Sequence, residues 1–134
     1  MATIQQAVRT MLTTGTTLSS GSPAVPDSRV THGYRLQESA LPAVTYSVDS
    51  RGDASTSGGI QESTITVTSI ANTSEDALAI AEKVRSAIAS GTYDTIAIDA
   101  VIVTNETLQP ETIGLSDEQE PAQAVTTATI YWRP

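Results

Sequence analysis

The chain has 134 residues, a formal charge of −8 and no cysteine. That length fits one domain, residues 1–134, which can bury roughly two-thirds of its unfolded surface without covalent staples. The composition excludes disulfide and thiolate chemistry. Its seven Lys and Arg residues are too scattered for a nucleic-acid surface, which concentrates basic groups on one face.

No apolar run approaches the roughly 18 residues of a membrane span, so none is expected. The N-terminus shows no basic region followed by an apolar one, so no leader is expected and the chain reads as soluble and intracellular. Phe is absent, and the aromatic residues are Tyr34, Tyr46, Tyr93, Tyr131 and Trp132. A core of Ala, Val, Ile and Leu is therefore expected.

In chain order, Thr3 to Leu12 predicts a helix. Ile4, Ala7, Val8, Met11 and Leu12 make one stripe, Thr3 and Gln6 a capping pair, and Gly15 the stop. A loop of Thr, Ser, Gly and Pro follows. Ser28 to Leu36 predicts a short strand. Pro42 to Asp49 predicts a half-buried strand, with Val44, Tyr46 and Val48 alternating against Thr45 and Ser47. Residues 50–59 form a polar, Gly-rich loop. Ile60 to Ala71 predicts a strand with Ile65 and Val67 opposite Thr64, Thr66 and Thr68.

Asn72 to Gly91 predicts the central helix. Ala77, Ile80, Ala81, Val84 and Ile88 share a face, Thr73 and Asp76 resemble a capping box, and Gly91 supplies the stop. Thr95 to Thr104 is apolar on both faces. It should lie centrally in a sheet, or have one face covered by another subunit. Residues 108–121 form an acidic, Pro-bounded loop, and Ala122 to Arg133 a final alternating strand. The order predicts an α+β fold: a mostly antiparallel sheet of four to five strands with two helices on one face.

Catalytic signals are sparse. His32 is the single histidine, so a His-rich metal site is excluded. Asp49, Asp53 and Glu62 surround one loop, but nothing in the sequence fixes them as an acid–base pair. Arg51-Gly52-Asp53 spells an adhesion tripeptide, a match too short to carry weight. Gly58-Gly59 lacks the Lys-Ser/Thr pair and following helix of a phosphate loop. No Gly-x-Ser-x-Gly nucleophile elbow occurs. The expectation is a protein that is not an enzyme and needs no cofactor or metal.

Three local patterns and the element order carry a resemblance. The helix IQQAVRTML precedes a polar loop and strand. A leucine-proline lead-in follows, Leu41-Pro42-Ala43-Val44-Thr45-Tyr46. A Thr/Val strand then runs into an Ala-rich helix through ESTITVTSIANTSEDALAIAEKVRSAI. Across about residues 2–132 this resembles the tail terminator, or tail completion, proteins of long-tailed bacteriophages and gene transfer agents. The long first loop and the extended acidic loop at 108–121 depart from the family pattern.

The resemblance implies a structural virion protein. It would form a ring, a hexamer in most of the family, that caps the tail tube and joins it to the neck or head-closure protein. Genome DNA would pass through the lumen without specific binding. Assembly would occur in the host cytoplasm and the protein would end in the virion. On that reading, loop 50–59 contacts a neighbouring ring through Arg51 and Asp53. Loop 109–120 contacts another partner through Glu111, Asp117 and Glu120. Trimming 50–59 is expected to spare the fold and impair assembly. Two other readings stand beside it: another head–tail connector, or a small-molecule-binding or enzymatic domain with a concave pocket.

Overall fold

A computed structural model describes residues 4–13, 18–19, 24–25, 29–32, 42–53, 60–93, 96–109, 112–113, 119–120 and 122–133; at 50–53, 108–109, 112–113 and 119–120 this description is of the backbone alone. The elements are α1 (Ile4–Thr13), β1 (Val30–His32), β2 (Ala43–Asp53), β3 (Gln61–Ala71), α2 (Ser74–Ala87), β4 (Gly91–Tyr93), β5 (Ile96–Gln109), β6 (Thr112–Ile113), β7 (Gln119–Glu120) and β8 (Ala122–Arg133). The fold is α+β. Six strands in the order β1-β2-β3-β8-β5-β4 curl into a half-barrel, and β6 and β7 form a separate two-stranded ribbon.

The strand count exceeds the expected four to five. β1 and β4 lie at the two ends of the sheet; β1 falls within the short strand expected at Ser28 to Leu36, whereas the three-residue β4 is too short to show a period in sequence. β1 also runs parallel to β2, pairing Val30 with Val44, while the other pairings are antiparallel. The sheet is therefore mixed.

The alternation in β3 and β8 sets the two faces. Ser63, Ile65, Val67 and Ser69 on β3 are buried, as are Ala124, Thr126, Ala128 and Ile130 on β8. These face α1 and α2 in one cluster with Ile4, Val8, Met11, Leu12, Ala77, Ile80 and Val84. α2 lies over β8 and β3, and α1 over β1, β2 and β4. Alanines on β8 let the helix come close to the strand. Each fully buried Ile contributes about 1.5–3 kcal/mol relative to exposure.

The opposite face is a hydroxyl array. Thr45 faces Thr68, Thr66 faces Thr127, and Thr64 faces Thr129 across neighbouring strands. β-branched side chains fit the pleat, and each such pair contributes on the order of 0.2–1 kcal/mol.

α2 begins as its sequence predicts. Thr73 is extended, and its hydroxyl accepts the Asp76 N–H at 3.2 Å. Glu75 and Asp76 then sit in the first turn, where the helix dipole favours anions. The end is not where it was expected. The helix stops at Ala87, capped by extended Ile88, whose N–H donates to the Val84 carbonyl at 3.0 Å. Burial of the Ile88 side chain draws the chain out of the helix before any glycine is reached. Gly91 instead opens β4 at φ +157°, where a side chain would crowd the Tyr93 ring. Thr3 and Gly15, the expected cap and stop of the first helix, lie outside the described residues.

β5 is a second correction. The most apolar strand does not lie in the middle of the sheet; β8 and β3 do. β4 covers β5 only at Ile96–Ile98, so beyond Ile98 the strand has β8 on one side and, among the described residues, no strand on the other. Strand order follows the connections. Because β8 pairs with both β3 and β5, it takes the central place whatever the apolarity of β5.

Candidate functional site

The expected contact residues do not form one site. Arg51 and Asp53 lie in the backbone of β2, which runs into the expected loop as far as Asp53 and pairs Gly52 with Glu62 and Asp53 with Gln61. Removing 50–59 would thus delete ladder as well as loop. That corrects the expectation that this segment is separable from the sheet. Glu120 lies in β7, its backbone opposite Thr112. Glu111 and Asp117 lie outside the described residues.

Among the described residues, no three His, Asp or Glu side chains gather as a metal site. No described helix is long and apolar enough to cross a membrane. His32 is exposed on β1, its ring 5.2 Å from that of Tyr46 and tilted by 47°. Burial raises the Tyr46 hydroxyl pKa above its ordinary 10.0, and the positive charge of Arg9 partly offsets this. At neutral pH that phenol keeps its proton.

The features that do converge lie around β5. Among the described residues, the two large apolar side chains left exposed are Leu78 on α2, at 46 %, and Ile102 on β5, at 52 %. Leu78 opens onto a groove of about 370 Å³ between α2 and the β5–β8 pair. Ala81, Glu82, Arg85, Glu106 and Thr126 are among the groups that line it. Arg85 Nη1 meets Glu106 Oε2 at 3.3 Å across the groove, with both side chains well solvated. Further along β5, Arg133 donates two hydrogen bonds to the Asp99 carboxylate, at 2.9 and 3.0 Å. Such exposed pairs contribute roughly 0–1 kcal/mol each, so they orient side chains more than they stabilise the fold.

Beneath the groove the core is less than fully satisfied. The hydroxyls of Thr126 and Ser69 are buried without a hydrogen-bond partner. Ser63, also fully buried, accepts the Trp132 indole N–H at 2.9 Å. Orphan hydroxyls cost stability, and Thr126 borders the groove.

Sequence reasoning passed over Leu78. It sits one position after Ala77, about 100° round the helix from the buried stripe. A leucine off the stripe was the available signal of a contact surface. Ile102 was legible as part of a doubly apolar strand, but its exposure depended on strand order. A scan of protein-family models and a search of curated proteins found no match to this chain.

Proposed function

We propose that this protein is a ring-forming structural subunit of a phage-type tail, a tail terminator that caps the tube and joins it to the neck. The sequence resemblance supplies the assembly. The observation that carries the reading is the placement of β5: beyond Ile98 no described strand pairs its outer side, and exposed Leu78 and Ile102 flank that stretch. A surface of that kind is out of place on a solitary globule and at home between subunits. The proposed partners are further copies of the chain, the tube protein and the neck protein. Acidic composition would keep DNA moving through the lumen, because a chain at −8 offers phosphate little to bind.

Electron microscopy and sizing of the purified protein test this. A closed ring is the expected result, and a protomer at every concentration, with and without tail tubes, would sink the idea. Locating the chain against the tube or against the portal separates a terminator from another connector.

The groove keeps one competing reading in play. At about 370 Å³ it is near the lower end of ligand-pocket size. Its charged residues, however, are solvated, and Arg85 and Glu106 pair with one another across it. That favours a surface over a small-molecule site. Saturable binding of a metabolite in the groove would reverse the preference.

A further inference from the structure

We propose that the open edge of β5, together with the groove beside α2, is a strand-addition surface that receives the β1 end of a second copy of this chain, head to tail. This rests on the ring-subunit reading in taking the partner to be the same protein. It goes beyond that reading by naming both halves of the contact.

Geometry comes first. A strand laid along β5 would direct alternate side chains to the two sides of the sheet. On one side it would meet Leu78 and Ala81 in the groove, and on the other Ile102. Among the described residues, the two exposed large apolar side chains thus flank the same stretch of β5, which no described strand pairs beyond Ile98. β5 carries no Lys and no Pro, the residues that commonly guard a free edge.

Length comes next. β5 shifts register against β8 between Ile98 and Ala100 and again between Val103 and Asn105. Only Ala100–Val103 runs regularly between those bulges. They twist the strand and disfavour indiscriminate stacking, so they suit a short partner. β1, at the far end of the sheet, is three residues long.

Charge selects the orientation. Near β5 lie Glu82, Asp99 and Glu106 with Arg85 and Arg133, three acids against two bases. The β1 end carries Arg29, and α1 brings Arg9 beside Tyr46, the β2 partner of His32. Head-to-tail contact sets the acidic end on the basic one. Two β5 edges meeting face to face would instead join two ends that each keep a net negative charge after the Asp99–Arg133 and Glu106–Arg85 pairs are formed. A heterologous contact of this type repeats round a ring.

The absence of native cysteine makes the test direct. His32→Cys and Ile102→Cys chains are prepared separately, mixed, and bridged with a short bis-maleimide. The expected product is the mixed His32–Ile102 dimer. Self-linked Ile102→Cys as the main product would overturn the head-to-tail arrangement. No mixed product, with the unmodified chain running as an assembly, would overturn this surface and leave the ring reading standing. An unmodified chain that stays a protomer throughout would overturn both. In parallel, Ile102→Lys is expected to lose assembly with its circular dichroism unchanged. Assembly retained by that variant would overturn the proposal.

Discussion

β8 and β5 lie side by side and share a ladder, but solvent is kept from them to different extents. β8 is modest in sequence, its buried face built from small residues and a single Ile, yet Ala124, Thr126, Ala128 and Ile130 are buried. β5 is the more apolar of the two, and its Ile102 stands half exposed. The comparison teaches that composition sets how much apolar surface a strand offers, whereas neighbours in the sheet set how much of it is covered. Where the offer exceeds the cover, as on β5, the excess points to a surface for something else.

The sharpest way to break this comparison is to truncate one isoleucine on each strand. Ile130→Ala should cost about 3–4 kcal/mol in denaturant unfolding, because the site is closed and leaves a cavity. Ile102→Ala should change protomer stability by no more than about 0.5 kcal/mol, as expected for an exposed side chain. Equal losses at the two positions would mean that β5 is covered in solution within the protomer.

A smaller loss is expected where α2 is anchored over β8. Thr73→Ala removes the hydroxyl that accepts the Asp76 N–H and should cost about 1 kcal/mol, with thermal unfolding as the readout. Thr73→Asn should recover most of it.

The orphan hydroxyls of the covered region offer a gain. Thr126→Val keeps the shape and removes an unpartnered buried polar group, so it should stabilise by up to about 1 kcal/mol. A clear loss would show that this hydroxyl has a partner in solution, with the groove it borders the place to look.

The last effect shows only at alkaline pH. Tyr46 has its folded-state pKa raised by burial, so its contribution is fully present below about pH 10, the unfolded value. It is lost as pH rises through the higher folded value. Melting curves should therefore fall above about pH 10, and Tyr46→Phe should flatten that fall. An equal alkaline fall in both proteins would assign it elsewhere.

Both helices were legible because Ile4, Val8, Met11 and Leu12, and likewise Ala77, Ile80 and Val84, repeat at a period that only a helix satisfies. β3 and β8 were legible from strict alternation. The end of α2 was misplaced because burial of Ile88, a tertiary effect, acts before Gly91 can. β4 was missed because Gly91–Tyr93 is too short to hold a pattern. The edge position of β5 was not legible at all. It depends on β8 pairing with both β3 and β5, a long-range choice with no local trace. For the same reason Leu78 and Ile102 became a joint surface only once the strands were in order. Arg51 and Asp53 were read as loop residues because Gly52 suggests a turn, whereas the β2 ladder tolerates it beside a register shift.

The middle position of β8 has a kinetic corollary. Until residues 122–133 insert, β1-β2-β3 and β4-β5 are separate fragments with no hydrogen bond between their strands. β8 reaches β5 across a short connection, but its pairing with β3, from Ala71 with Ala122 to Gln61 with Trp132, joins distant parts of the chain. That pairing is therefore the slow step that completes the sheet. Refolding should therefore show helix signal early and completion late, and for that interval the open flanks of β3 and β5 are where strangers can intrude.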